Sequence, residues 1–173
     1  ANKADKAGSE DNLKRLKNEF GDLIIIPTSA DSELSLRQAA KAELIDYIPG
    51  SSNFTINEDQ ANDKQKAALS SIQENVLDVF GATGVQDVLD KAIFELLKYI
   101  AIFPAGSKLA DSKGNVLPDC FLLPEGSTAL DFAYFLHTDI GDKFVKAIDV
   151  RTKMPVGKDH ALNHRDGIEI MTS

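Results

Sequence analysis

The sequence predicts an α/β piece, then a helical stretch, then an α+β sheet folded around one helix in a ubiquitin-like grasp. Three observations carry this. A helical repeat of Leu13, Leu16 and Phe20 is followed by the continuous β-branched run "DLIII", which reads as one crossover unit of an α/β sheet. The middle third is rich in strong helix formers. From Tyr99 onward the apolar period drops towards two, and turn residues recur at short intervals.

Taken in order, "SEDNLKRLKNEF" opens with the Ser/Glu/Asp cluster of a helix start, and "DLIII" before Pro27 predicts a short, fully buried strand. Asn2 to Asp5 and Thr28 to Ala30 then fall at equivalent strand-to-helix corners. "DSELSLRQAAKAELIDYI" predicts a helix, broken by Pro49, Gly50, Ser51 and Ser52. "EDQANDKQKAALSSIQENVLDVF" predicts a longer one with Leu69, Ile72, Val76, Leu77 and Phe80 on its apolar face. After the turn "GATG", "VQDVLDKAIFELLKYI" is amphipathic at 85, 88, 89, 92, 93, 96 and 97. The order β, β, α, β, β follows: "YIAIFPA", a second strand after a turn at "DSKG", the helix "STALDFAYFLH" capped by Ser127 or Thr128, "KFVKAIDV", and "DGIEIMTS" after an Asp166-Gly167 turn.

No apolar run approaches the roughly 20 residues of a membrane helix, so no membrane partner is expected. Cys120 has no second thiol with which to form a disulfide or a zinc site; it reads as a buried structural thiol in a reduced, cytoplasmic setting. The net charge of −8 argues against coating nucleic acid through overall electrostatics. The charge is uneven, however: Lys143, Lys146, Arg151, Lys153, Lys158 and Arg165 face only Asp149 and Asp159, a local +4 that could meet phosphates. A solvated face is the plainer reading. His137 reads as a capping or packing residue. His160 and His164, at i and i+4, read as exposed-loop residues and lack a carboxylate to complete a metal set, so no metal site is expected. No catalytic Ser/His/Asp or Cys/His arrangement is present.

Asn2-Lys3-Ala4-Asp5 carries the sharpest chemistry. Guanine offers an N1–H and an N2 amino group along one edge, and one carboxylate accepts both in a fork. Adenine would set a lone pair against that carboxylate, so Asp5 discriminates partly by repulsion. Asn2 is placed to brace the loop and approach N7, the Lys3 stem to lie across the base, and a backbone N–H near Ala30 to reach O6. As four residues alone, the motif is equally a turn or a helix-start loop.

"NKADKA" followed by "IIIPTSA" resembles the fourth and fifth guanine-nucleotide motifs of the translation-factor-related GTPases. "LPEGSTALDFAYFLHTDIGDKFVKAIDVRTKMPVGKDHALNHRDGIEIM" is similar to a TGS domain, with Pro124, Gly126, Ser127-Thr128, Asp131, His137 and Asp166-Gly167 in the family's order. Together with "SELSLRQAAKAELIDYIPG" and "GNVLPDCFLLPEGST", the whole chain resembles the Obg superfamily, specifically archaeal and fungal relatives of YchF.

The resemblance implies an α/β remnant of a P-loop GTPase domain at 1–31, a helical insertion at 32–80, the last helix of the GTPase domain at 81–98 and a TGS domain at 99–173. It implies a guanine nucleotide read by Asn2, Lys3, Asp5, Ser29 and Ala30, with GTP and Mg²⁺ bound by the intact protein. YchF itself departs from Asn-Lys-x-Asp and accepts ATP, whereas Lys3 and Asp5 are present here; Asp31 replaces the usual Lys of Ser-Ala-Lys. No G-x-x-x-x-G-K-[ST] occurs, and "DSKG" at 111 to 114 follows Asn2 instead of preceding it, so it reads as a β-turn and not a switch loop. The expectation is a C-terminal fragment with no catalytic residues, inactive in hydrolysis by itself. TGS domains imply a ribosome or RNA contact, for which His137 and the basic stripe are the candidate surface. The rival expectation is a non-enzymatic adaptor with a ubiquitin-like protein-binding domain, in which "NKAD" is only a turn.

Overall fold

In a computed structural model, residues 1–106, 115–116 and 119–173 are described. The chain divides into two compact units, Ala1–Lys91 and Ala92–Ser173. The "DSKG" turn at 111 to 114 lies outside the described residues.

The first unit begins with the loop that leads into α1 (Ser9–Glu19), as the sequence predicts. Its apolar stripe stays open: α1 has no buried residue, and Leu16 and Phe20 are exposed. "DLIII" departs from expectation. Its first residues close the turn after α1, with Leu23 N donating to Phe20 O at 3.0 Å, and the rest joins no strand of a sheet; Leu23 and Ile24 are 63% and 59% exposed. What remains of the crossover is one parallel rung. The Ala1 amine donates to Ile26 O at 2.8 Å, and Thr28 N–H donates to Ala1 O at 2.9 Å. Among the described residues no further strand pairs with this segment, and of its apolar side chains Ile25 and Ile26 are half-buried while Leu23 and Ile24 stay open.

The helix α2 (Ala30–Lys41) stops earlier than its propensity suggests. Glu43 turns left-handed at φ 59°, and the β-branched "LIDYI" then enters a hairpin of β1 (Ile45–Asp46) with β2 (Thr55–Ile56), in which Ile45 opposes Ile56. The Pro49-Gly50 break is therefore the hairpin loop, and the middle third is not wholly helical. Next, α3 (Asp63–Ile72) starts at a capping box: Asn62 accepts from Gln65 N, and Gln65 reaches back to Asn62 N. It continues through a π-helical stretch, Gln73–Leu77, into α4 (Asp78–Phe80). Leu69, Val76 and Leu77 bury against Leu36 and Ile45, with Ile72 packed alongside, to make this unit's core. After Gly81 and Gly84, α5 (Val85–Asp90) passes into a π-helical stretch, Lys91–Leu96. A π turn holds more residues than an α turn, so the expected seven-position stripe does not stay on one face. Val88, Leu89, Leu96 and Leu97 are exposed.

The second unit is the expected ubiquitin-like grasp. Its strands β3 (Tyr99–Pro104), β4 (Phe121–Pro124), β5 (Phe144–Asp149), β6 (Met154–Val156) and β7 (Asp166–Thr172) take the spatial order β4-β3-β7-β5-β6. The parallel pair β3–β7 at the centre makes the sheet mixed. Lying on it, α6 (Ala129–Leu136) places Phe132 and Ala129 against Ile100, Ile102, Leu123, Ala147 and Ile168. Thr128 caps α6, accepting from Asp131 N, whose side chain returns the bond to Thr128 N. A short α7 (Thr138–Asp142) follows.

Three details differ from expectation. Strand β6 is a fifth strand beyond the four expected, and at three residues it is too short to show a period. Asp166 and Gly167 lie inside β7, while the turn precedes them at Asn163 to Arg165, with Arg165 at φ 70° and Asp166 N donating to Asn163 O. Cys120 is exposed, because it sits just ahead of β4, which lies at the edge of the sheet, and not within the strand's apolar run.

Candidate functional site

The two corners singled out in the sequence meet within the first unit. Ala4 N donates to Thr28 O at 2.9 Å, and Ala4 is buried. Lys3 adopts φ 69°, which turns the loop so that the Asn2 side chain faces backbone donors. Asn2 Oδ1 accepts from Lys3 N at 2.8 Å and from Ala30 N at 3.2 Å. The bond to Ala30 ties the first corner to the start of α2. Ser29 is fully buried; its Oγ donates to Asp5 Oδ1 at 3.0 Å and sits 2.8 Å from Ser32 Oγ. Asp31, beside it, is exposed. Asn2, Asp5, Ser29 and Ala30 therefore form one bonded set across 28 residues of sequence, while the Lys3 side chain is exposed at its margin.

Asp5 Oδ2 lies 2.6 Å from the Lys6 ammonium. That ammonium holds the Asp5 carboxyl below its ordinary value; partial burial opposes it, and the Ser29 hydroxyl adds to the lowering. Lys6 is raised in return by the same contact. Asp5 is thus ionised at neutral pH, an acceptor-only group with lone pairs left on both oxygens. Two hollows flank the loop. Asn2, Lys3, Lys6, Leu13, Leu16 and Phe80 help line one of about 280 Å³. Asp5, Lys6, Asn75, Val79 and Phe80 help line another of about 490 Å³. The loop presents Asn2 and Lys3 to the first and Asp5 to the second; Ser29 and Ala30 line neither, standing behind as support.

That support runs deeper than the sequence motif. Ser29 N donates to Thr83 O at 2.8 Å, so the "GATG" turn closes over the second corner. Gly84 makes the approach possible: it sits at φ 77°, and a Cβ there would lie 1.9 Å from Pro27 O. Thr83 Oγ1 donates to Glu33 Oε2 at 2.6 Å, Tyr47 OH donates to the same oxygen at 2.8 Å, and Arg37 Nε donates to Oε1 at 2.6 Å. Burial alone would raise the Glu33 carboxyl, but the donors from Thr83, Arg37 and Tyr47 outweigh it and hold the group below its ordinary value. Ser32, Glu33, Thr83 and Gly84 are not among the site residues the sequence suggests. The Thr-Gly pair in "GATG" is the available signal; a carboxylate inside a helix-forming stretch gives none.

In the second unit, Lys143, Lys146, Arg151, Lys153, Lys158 and Arg165 are all exposed. They do not form one row. Lys143 precedes β5 while Arg151 and Lys153 follow it, and six strand residues at about 3.3 Å each separate the two ends by roughly 20 Å. Arg151 and Arg165 do meet, with Arg151 Nη2 donating to Arg165 O at 3.0 Å. His137 caps α7, its Nδ1 accepting from Asp139 N at 3.1 Å. His164 Nδ1 accepts from Ala101 N at 3.1 Å, and its ring packs edge-on to Phe94. Among the described residues no cluster of His, Cys, Asp and Glu is placed to hold a metal ion, and no helix is long and apolar enough to cross a membrane.

Comparison with known proteins places this geometry. Residues 1–106 match the family described as Obg-like GTPase YGR210-like, G4 motif-containing domain, and residues 100–172 match the TGS domain. An uncharacterized GTP-binding protein of Methanocaldococcus jannaschii is 45% identical over 175 residues, covering all of this chain and 44% of that protein. An uncharacterized GTP-binding protein of Schizosaccharomyces pombe is 31% identical over 138 residues, covering 74% of this chain and 34% of its own length. The chain thus spans less than half the length of these relatives. Among solved structures, a GTP binding protein from Pyrococcus horikoshii superposes with a TM-score of 0.73 at 44% identity, over all of this chain and 44% of that one. The YchF GTPase of Schizosaccharomyces pombe shares the fold, with a TM-score of 0.52 at 13% identity, over 96% of this chain and 39% of that one. The chain therefore belongs to the YGR210-like Obg-like GTPases, carrying their G4 motif-containing domain followed by a TGS domain.

Proposed function

We propose that this chain supplies the base-reading part of a GTP site whose phosphate grip and Mg²⁺ come from a preceding half of the intact protein, which hydrolyses GTP in the cytosol. One observation carries the reading: the Asp5 carboxylate is ionised and held by buried Ser29, while Asn2 bridges to Ala30 N across the two corners. In this reading Asp5 accepts guanine N1–H and N2–H in a fork, sharing its outer oxygen with Lys6 or displacing it. The Lys3 stem covers one face of the base, and Asn2, whose Oδ1 accepts from Ala30 N, keeps the two corners together and approaches N7 with its amide nitrogen. Exposed Leu16, Phe20, Leu23 and Ile24 offer the preceding half an apolar surface to pack on. The chain alone, with no G-x-x-x-x-G-K-[ST], does not hydrolyse GTP.

The test is nucleotide titration of protein extended N-terminally to include a phosphate-binding half. Asp5→Asn is expected to weaken GTP about ten- to a hundredfold and to improve xanthosine triphosphate, whose C2 carbonyl accepts from the new amide. GTP affinity indifferent to Asp5 overturns the reading and leaves "NKAD" a turn in an adaptor.

The TGS unit, in the same reading, docks the protein on the ribosome or another RNA through Arg151, Lys153 and Arg165 at one end of β5 and Lys143, Lys146, Lys158 and His137 elsewhere on its surface. The exposure of all six cations and the meeting of Arg151 with Arg165 support it. Charge reversal at Lys143, Lys146 and Arg151 is expected to weaken RNA or ribosome association and to flatten its salt dependence by about one unit of slope for each phosphate that is no longer neutralised. An unchanged slope removes that surface.

A further inference from the structure

We infer that Glu33 is a positioning residue for guanine recognition, fixing Asp5 through Thr83 and Ser29 without touching the base; the inference rests on the base-reading role of Asp5 proposed above. The chain of hydrogen bonds is continuous. Glu33 Oε2 accepts from Thr83 Oγ1 at 2.6 Å, Thr83 O accepts from Ser29 N at 2.8 Å, and Ser29 Oγ donates to Asp5 Oδ1 at 3.0 Å. Every intermediate is locked: Glu33 is 4% exposed, Thr83 1% and Ser29 0%. Ser29 therefore has no freedom to follow Asp5 if the loop drifts; Asp5 follows Ser29.

The buried carboxylate takes three donors, and of these Thr83 is itself buried, so losing the acceptor at Oε2 strands the Thr83 hydroxyl away from water. Thr83 Oγ1 and Tyr47 OH converge on one oxygen, and Arg37 takes the other. Two of the three donors come from outside α2: Tyr47 belongs to the segment just after β1, and Thr83 to the turn before α5. Glu33 thus clamps the hairpin and the "GATG" turn to the first turn of α2, the turn that carries Ser29 and Ala30. A glutamine in its place keeps the shape but offers one acceptor oxygen and an amide that donates, so it faces at least one of these three donors with another donor.

What such a residue controls is the angle of the Asp5 fork, and inosine triphosphate reports that angle. It keeps N1–H and lacks the N2 amino group, so the ratio of its dissociation constant to that of GTP measures the second prong alone. In the N-terminally extended protein, Glu33→Gln is expected to reduce this ratio about five- to tenfold. Thr83→Val, which removes the hydroxyl but keeps the backbone carbonyl that holds Ser29, is expected to reduce it by a smaller factor. Leu36→Ala, a buried apolar truncation in the same helix, serves as the stability control and is expected to leave the ratio unchanged.

If Glu33→Gln does not fold by circular dichroism, Thr83→Val decides. A ratio unmoved in the folded variants, or moved equally by Leu36→Ala, overturns the positioning role. A parent protein that fails to distinguish the two nucleotides, or whose GTP affinity ignores Asp5→Asn, overturns the base-reading proposal instead.

Discussion

The two units hold themselves together by different means. The second closes a five-stranded mixed sheet over α6, with Ile102, Phe132, Ala129, Ala147 and Ile168 at or near zero exposure. The first has a smaller apolar core around Leu36 and Leu77 and leaves Leu16, Phe20, Leu23 and Ile24 open. Beside that core lies a buried polar set: Ser29, Ser32, Glu33 and Thr83 are linked by hydrogen bonds. Hydrophobic burial is non-directional and tolerates small adjustments, whereas a hydrogen-bonded set specifies one arrangement and loses it when one member changes. The unit that holds the Asp5 carboxylate is built the second way, and the unit that closes its sheet over one helix is built the first.

Three experiments press on that contrast. The largest effect is expected from Phe132→Ala, which opens a cavity in the second unit's core and costs about 3–5 kcal/mol. Thermal unfolding followed by hydrogen exchange should show β3, β5 and β7 losing protection while Ala4 and Ser29 amides keep theirs. Loss of protection in both units together would erase the distinction. Gly84→Ala comes next. It places a Cβ 1.9 Å from Pro27 O at φ 77° and should cost more than about 2 kcal/mol, confined to the first unit. A variant as stable as the parent would mean that the close approach of the "GATG" turn to Pro27 is not needed.

The smallest effect is the response to acid. Because the folded Glu33 value lies below the ordinary 4.5, its contribution is fully present above that pH and is lost as pH falls through the lower folded value. Asp5 acts in the same direction. Melting the parent and Glu33→Gln from pH 7 downward should show the first unit of the parent weakening below about pH 4.5 and the variant, already lacking that carboxylate, changing less. Asp149 is also lowered, but the N–H groups of Arg151 and Thr152 that hold it belong to one exposed turn, so the second unit should respond less.

The same contrast explains what is legible in the sequence. The grasp fold is readable because the order of strands around one helix, a Thr128 cap and an aromatic helix face are local signals, each present in place, although the alternation expected of "KFVKAIDV" is interrupted by a register shift between Phe144 and Lys146. "DLIII" reads as buried and is not, because a run of β-branched residues reports what the chain is suited to, while burial needs neighbours on both sides. The α2 region reads as too long because Ala, Glu and Leu favour helix strongly, yet the left-handed Glu43 and the "IDYI" and "FTI" runs about Pro49-Gly50 mark a hairpin. Asn2 and Asp5 are visible as a motif and Ser29 as its companion. Glu33 is not, since its partners Tyr47 and Thr83 lie 14 and 50 residues away and no spacing rule links them.

That 50-residue gap also sets an order of events in time. Asp5 and Ser29 leave the ribosome long before Thr83, and until Thr83 and Gly84 emerge Ser29 N–H lacks its carbonyl acceptor and Glu33 lacks the Thr83 hydroxyl that donates to it. At about 5–20 residues per second, the 54 residues from Ser29 to Thr83 take roughly three to eleven seconds, and Asp5 waits longer still before the last support arrives. The two corners are made early and set late, so the intervening hairpin and α3 have that interval in which to fold.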